Sequence, residues 1–151
     1  AKHRWSYELI SVKSSEREVV MAALRDMRVD TVIMSHPSAP IIDRHIVSVA
    51  SNLVEVVLSD LIEHGYEAFY RVLRLSTYLK KDRIKMVITS GASDCLGVRA
   101  PMQLPSILLT MGVGPDKALN TVSVPIIEVL RQNRAKLMGL LEPTGVWRIE
   151  E

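Results

Sequence analysis

The sequence predicts an alternating α/β fold built on a parallel sheet, and three observations carry that prediction. Short apolar runs rich in β-branched residues alternate with stretches whose apolar residues recur at helical spacing. The units are roughly 25 to 30 residues long, the length of a strand plus its crossover helix. No internal repeat, low-complexity segment or linker interrupts the alternation, so residues 1–151 read as one domain.

The elements follow in order. Tyr7 to Val12 (YELISV) reads as a strand, and Ser15 followed by Glu18 fits a capping box opening a helix whose Val19, Val20, Ala23, Leu24 and Met27 share one face. Thr31 to Ser35 (TVIMS) is a second strand closed by His36-Pro37. Asp43 then stands as N-cap of a short helix through Ala50. Leu53 to Ser59 is a third strand, His64 to Lys81 a long helix, and Met86 to Ser90 a fourth strand broken by Gly91. A helix starting near Pro101 or Pro105, a weaker strand at Thr121 to Val124 and a helix from Pro125 to Leu137 complete about five βα units. Such units suit either a doubly wound sheet or a (β/α)-barrel, and five are too few to close an eight-stranded one.

Composition excludes several classes. At 48% hydrophobic residues the chain can bury an ordinary core. The single Cys95 rules out an internal disulfide and a Cys-rich zinc site, and with no signal-like segment this favours a cytoplasmic protein. No run approaches the roughly 20 apolar residues of a membrane span. No strand is followed by Gly-x-Gly-x-x-Gly or by a Walker Gly-Lys-Ser/Thr motif, so dinucleotide and P-loop binding lose their usual support.

Three constellations bear on chemistry. The histidines His3, His36, His45 and His64 form no H-x-H or H-E-x-x-H pair, and the nearest carboxylates, Asp43, Asp60 and Glu63, fall at helix caps, so no dedicated metal spacing is present. The stretch MVITSGASDCLGVRAP offers Ser90, Ser93 and Cys95 as nucleophiles, but Gly-Ala-Ser-Asp is not a nucleophile elbow. Its plain reading is a tight connection in which Ser93 and Asp94 cap backbone groups and Gly91 supplies an unusual backbone conformation. The long helix is the stronger signal. Ala68, Val72, Leu75 and Leu79, widened by Phe69 and Leu73, face the sheet, while Arg71, Arg74, Tyr78 and Lys81 lie opposite. Residues 71–85 hold six Lys or Arg against Asp82, a local balance of +5 in a chain whose total is +2. Arg131, Arg134, Lys136 and Arg148 against Glu142 repeat the bias, and two basic surfaces suggest a polyanion partner.

The block VITSGASDCLGVRAPMQLPSILLTMG, with the later NTVSVPIIEVLRQNRAKL, resembles the C-terminal portion of the ribonuclease P protein component 3 family, the thirty-kilodalton subunit shared by archaea and eukaryotes. The positions that carry the likeness are Ser90, Gly91, Ala92, Arg99, Pro101, Leu104, Leu108 and Gly112, and upstream Val29, Asp30, Val32 and Ile33. The resemblance implies an α/β, TIM-barrel-like fold similar to the polymerase and histidinol phosphatase barrels, present here as an incomplete barrel that begins at the fourth barrel strand. It implies a noncatalytic subunit of a ribonucleoprotein endonuclease that supports the catalytic RNA in 5′ maturation of precursor tRNA. The loop after the fourth strand would then position Arg99 without hosting a nucleophile. The implied partners are ribonuclease P RNA, ribonuclease P protein component 2 and, indirectly, precursor tRNA, with Mg2+ belonging to the RNA and no cofactor in this chain. Exposed Leu108, Leu109 and Met111 would serve a protein contact, or else lie in the core. The candidate RNA-binding residues are Arg71, Arg74, Lys80, Lys81, Arg83, Arg99, Arg131 and Arg134. A metal-dependent phosphoesterase of the same barrel type is the alternative, with His36 as its one placed ligand. Pro105 inside a helix begun at Pro101 would cost about 3 kcal/mol, which favours a start at Pro105.

Overall fold

A computed structural model describes residues 6–140. Strands β1 (Ser11–Val12), β2 (Thr31–Ile33), β3 (Leu53–Val57) and β4 (Met86–Thr89) form one sheet in the order β1-β2-β3-β4, every pair parallel. The helices are α1 (Arg17–Arg25), α2 (Arg44–Val49), α3 (Leu58–His64), α4 (Tyr66–Lys80), α5 (Ser106–Thr110), α6 (Pro115–Asn120) and α7 (Val124–Leu137). This is the alternating βα arrangement the apolar periodicity calls for, and it is consistent with a TIM-like fold.

Side chains alternate across the sheet. One face carries Val32, Val54, Val56, Met86 and Ile88 into a core with Val20 and Leu24 of α1, Ile46 of α2, Val72, Leu75 and Leu79 of α4, and Leu108 of α5. The other face holds a polar row. Glu55 Oε2 accepts from Ser11 Oγ at 2.8 Å and Thr31 Oγ1 at 2.6 Å, and its Oε1 accepts from Thr89 Oγ1 at 3.0 Å. One carboxyl group, 9% exposed, thus links all four strands. Helix α7 lies against β4, and its buried Asn133 donates to Asp30 Oδ1 at 2.9 Å and to the Glu8 carbonyl at 2.8 Å.

Several elements differ from their predicted bounds for local reasons. The first strand covers Ser11–Val12 instead of beginning at Tyr7: Asp30 Oδ2 takes the Ile10 N–H at 2.7 Å, so a side chain stands in for the ladder there. The Ser15–Glu18 capping box does not form; α1 starts at Arg17 and its N-cap, Glu16, makes no side-chain cap bond. Asp43 does cap α2, accepting from the Ile46 N–H at 2.8 Å. β3 ends at Val57 and helix begins at once, broken at Gly65, whose φ of +51° separates α3 from α4. Pro105 precedes α5, the placement that avoids an interior proline.

The fifth predicted strand, Thr121 to Val124, is absent. Residues 121–123 form turns, because Thr121 Oγ1 folds back on the Ala118 carbonyl at 2.6 Å and Val124 already opens α7 with Pro125 in its first turn. A remnant of pairing survives: the Thr121 carbonyl accepts from Ile88 N–H at 3.0 Å, at the open edge of β4.

Two substitutions test these constraints. Gly91 sits at φ +60°, and a Cβ built on it would lie 2.0 Å from Val57 Cγ1. Gly91→Ala is expected to lower unfolding free energy by about 2–4 kcal/mol in urea, and a loss under about 1 kcal/mol would show that this turn relaxes freely. Glu55→Ala strips three hydroxyls of their acceptor and is expected to cost about 2–4 kcal/mol by the same measurement. A neutral result there would mean that water replaces the carboxyl group.

Candidate functional site

Parallel strands share one polarity, so their two ends carry different side chains. The basic residues of the long helix end on the side where the strands begin. Helix α4 stops in a Schellman turn: Arg83 N–H bonds to the Tyr78 carbonyl and Asp82 N–H to Leu79, each at 3.0 Å, with Asp82 at φ +53°. That turn projects Lys81 and Arg83, both exposed, on either side of Asp82. Asp82 itself pairs with Lys117 of α6 at 2.6 Å. Lys80 donates to the Met111 carbonyl at 2.6 Å, and Lys117 also reaches the Lys80 carbonyl at 2.9 Å.

A cleft of about 280 Å³ runs between the strand N-terminal ends and α7, lined among others by Asp30, Asn52, Lys85, Glu128, Gln132 and Lys136. Lys85 and Lys136 thus face one groove, a convergence the sequence could signal only as charge surplus. Arg131, on the same helix, is exposed. Among the described residues no hydrogen bond or ion pair engages the side chains of Lys81, Arg83 or Arg131.

The other predicted contacts have intramolecular work. Arg71 and Arg74, expected on an outward basic face, are half-buried. Arg71 donates to the carbonyls of Pro37 and Ala39, and Arg74 to that of Ile42 at 3.3 Å. Burial lowers the Arg71 pKa from its ordinary value. Tyr78 packs on the core instead of facing solvent, whereas Phe69 and Leu73, expected to widen the apolar face, are 39% and 40% exposed. The loop of residues 37–42 lacks regular structure, so its carbonyls need donors, and two guanidinium groups one helical turn apart supply them. Arg134 pairs with Glu8 at 2.8 Å, and that hydrogen bond raises its pKa and lowers that of Glu8. The pair is exposed and screened. Arg99 is exposed and donates to the Leu96 and Val98 carbonyls at 2.7 and 3.2 Å. Of the residues weighed as a protein contact, Leu108 and Met111 are buried and Leu109 is exposed. Arg148, Glu142 and His3 lie outside the described residues.

The opposite end, where strands finish, carries two features. The loop after β4 holds exposed Ser93, Asp94 and Cys95, and Asp94 Oδ1 accepts from the Gly97 N–H at 2.8 Å, a turn-capping role. At the same end of the sheet, His36 after β2, and Asp60 and His64 of α3, place one ligand atom each within 4.8 Å of one another. By sequence alone His36 stands out and Asp60 falls at a helix cap; the Asp60-x-x-x-His64 spacing, one helical turn, is the signal that joins the second pair. Burial and then the positive charge of Lys13 lower the His36 pKa, with Asp60 opposing.

These roles separate in a stability measurement. Arg71→Ala, which strips donors from two loop carbonyls, is expected to cost about 1–2 kcal/mol, whereas Lys81→Ala should stay within about 0.5 kcal/mol. Equal effects in thermal or urea unfolding would contradict the division between them.

Comparison with known proteins places this arrangement. The sequence matches the family described as RNase P subunit p30 over residues 1–137. Proteins named ribonuclease P protein component 3 from Methanosarcina acetivorans and Methanosarcina barkeri are each 27% identical to it, over alignments covering 88% of this chain and 59% of theirs. The protein of that name from Methanococcoides burtonii is 22% identical, with 88% and 58% covered. The chain therefore spans somewhat over half the length of the curated relatives it matches. Matched along most of its sequence, it belongs to the RNase P subunit p30 family.

Proposed function

We propose that this chain is an arc of a TIM-like barrel that acts as a noncatalytic protein subunit of ribonuclease P, supporting the catalytic RNA in 5′ maturation of precursor tRNA. The observation that carries the reading is the family match over residues 1–137. The name borne by the relatives supports it. The RNA contact is the basic rim at the strand N-terminal ends, from Lys81 and Arg83 across Lys85 to Lys136 and Arg131. These side chains are available because the structure leaves them without, or with few, internal partners, unlike Arg71, Arg74 and Lys80. Cations of this kind neutralise phosphates and release counterions, giving salt-sensitive binding with weak sequence preference. Arg99 and Arg134 are secondary contacts, each already engaged in an exposed bond. Ribonuclease P protein component 2 is the protein partner, Mg2+ resides with the RNA, and the site of action is the cytoplasm.

Reconstitution tests the reading: this protein and component 2 are added to an archaeal ribonuclease P RNA, and precursor-tRNA cleavage is followed as Mg2+ falls. Cleavage is expected to persist at Mg2+ concentrations where the RNA alone fails. Lys81→Glu, Arg83→Glu and Arg131→Glu combined should weaken RNA affinity at least about tenfold and flatten its salt dependence, each phosphate contact carrying a slope of roughly 0.7–0.9. Unchanged affinity in a folded triple variant would remove the rim from the interface.

A further inference from the structure

Two buried carboxyl groups sit on β3 and just beyond it, and they are treated differently. Glu55 has both oxygens occupied by hydroxyl donors from three strands. Asp60, 6% exposed, receives one such bond, from Ser35 Oγ to Oδ2. Its other oxygen accepts no hydrogen bond among the described residues. Beside it stand His36 and His64, ring centroids 4.7 Å apart and nearly perpendicular. We propose that His36, Asp60 and His64 are the protein ligands of a first-row divalent cation, with zinc the closest match.

The donor set is that of such a metal: two imidazoles and one carboxylate are borderline ligands that suit zinc and its neighbours. One atom from each residue already lies within 4.8 Å of the others. Bonds of about 2.1 Å at tetrahedral angles require ligand separations of about 3.4 Å. His64, exposed on the last turn of α3, closes that gap by side-chain rotation.

The outer contacts are in place. Ser35 Oγ accepts from the Val57 N–H at 3.0 Å, which turns its own hydroxyl proton toward Asp60 and fixes the carboxylate. Ser38 Oγ stands 2.7 Å from His36 Nδ1. With Nδ1 carrying the proton and donating to Ser38, Nε2 faces the metal, the orientation that outer partners impose on ligating histidines. The tautomer in which Nδ1 instead accepts from the Ser38 N–H, at 3.1 Å, is the one displaced by metal. Three protein ligands leave a fourth position to water. The site lies at the finishing ends of β2 and β3, away from the basic rim, and goes beyond the ribonuclease P reading.

The test uses the full chain, treated with chelator and titrated with Co2+ by visible absorption and with Zn2+ by calorimetry, without RNA. One equivalent is expected to bind, with ligand-field bands in the visible. His64→Ala should weaken it about a hundredfold, Ser38→Ala about tenfold, and His45→Ala, at an exposed position on α2, not at all. Absence of visible bands and of Zn2+ heat, or binding that His64→Ala leaves unchanged, overturns the proposal. Because His64 is exposed, its variant keeps the fold even if Asp60→Asn does not. With RNA absent, the outcome is read independently of ribonuclease P activity.

Discussion

Glu55 bonds to a side chain from every other strand of the sheet, and much of the structure depends on that carboxyl group. Burying it is costly unless its oxygens are matched. The match requires Ser11, Thr31 and Thr89 on the same face. Sliding any strand by one residue would turn its hydroxyl into the apolar layer and away from the carboxyl group. The polar row therefore pins register where the apolar face alone, made largely of Val, Met and Ile, would tolerate alternatives.

Fixed parallel register gives the sheet two chemically distinct ends. Where the strands begin, the Schellman turn after α4, Lys85 and Lys136 around the cleft beneath α7, and exposed Arg131 concentrate positive charge. Where they finish, the turn at Gly91 approaches Val57 and Ser59 so closely that no side chain fits, and His36, Asp60 and His64 gather on neighbouring connections. Helix α4 spans both ends, which explains its division of labour. Its middle uses Arg71 and Arg74 to hold the loop after β2, and the turn that ends it presents cations outward.

The strand and helix order was legible because it depends on local pattern: short apolar, β-branched runs beginning at Thr31, Leu53 and Met86, a helical stripe at Ala68, Val72, Leu75 and Leu79, and the cap at Asp43. The missing fifth strand was not, since Thr121 to Val124 has strand-like composition but its hydroxyl is satisfied by Ala118 and Pro125 starts a helix behind it. Likewise, a side-chain bond from Asp30 removed the first half of β1, an event set by residues 20 apart in sequence.

By itself the sequence determined the βα alternation, the family resemblance and the surplus of cations near Arg71 to Lys85, because each is written in neighbouring residues. Only the tertiary structure decided which cations remain available. Arg71 and Arg74 are bound to carbonyls more than 30 positions away, while Lys81 and Arg83 are turned outward by a helix terminus. The same holds for the histidine cluster: His36 and Asp60 lie on separate connections, and parallel pairing of β2 with β3 brings them together. Periodicity records which face a residue takes, but a donor's partner depends on which distant backbone segment the fold leaves unsatisfied.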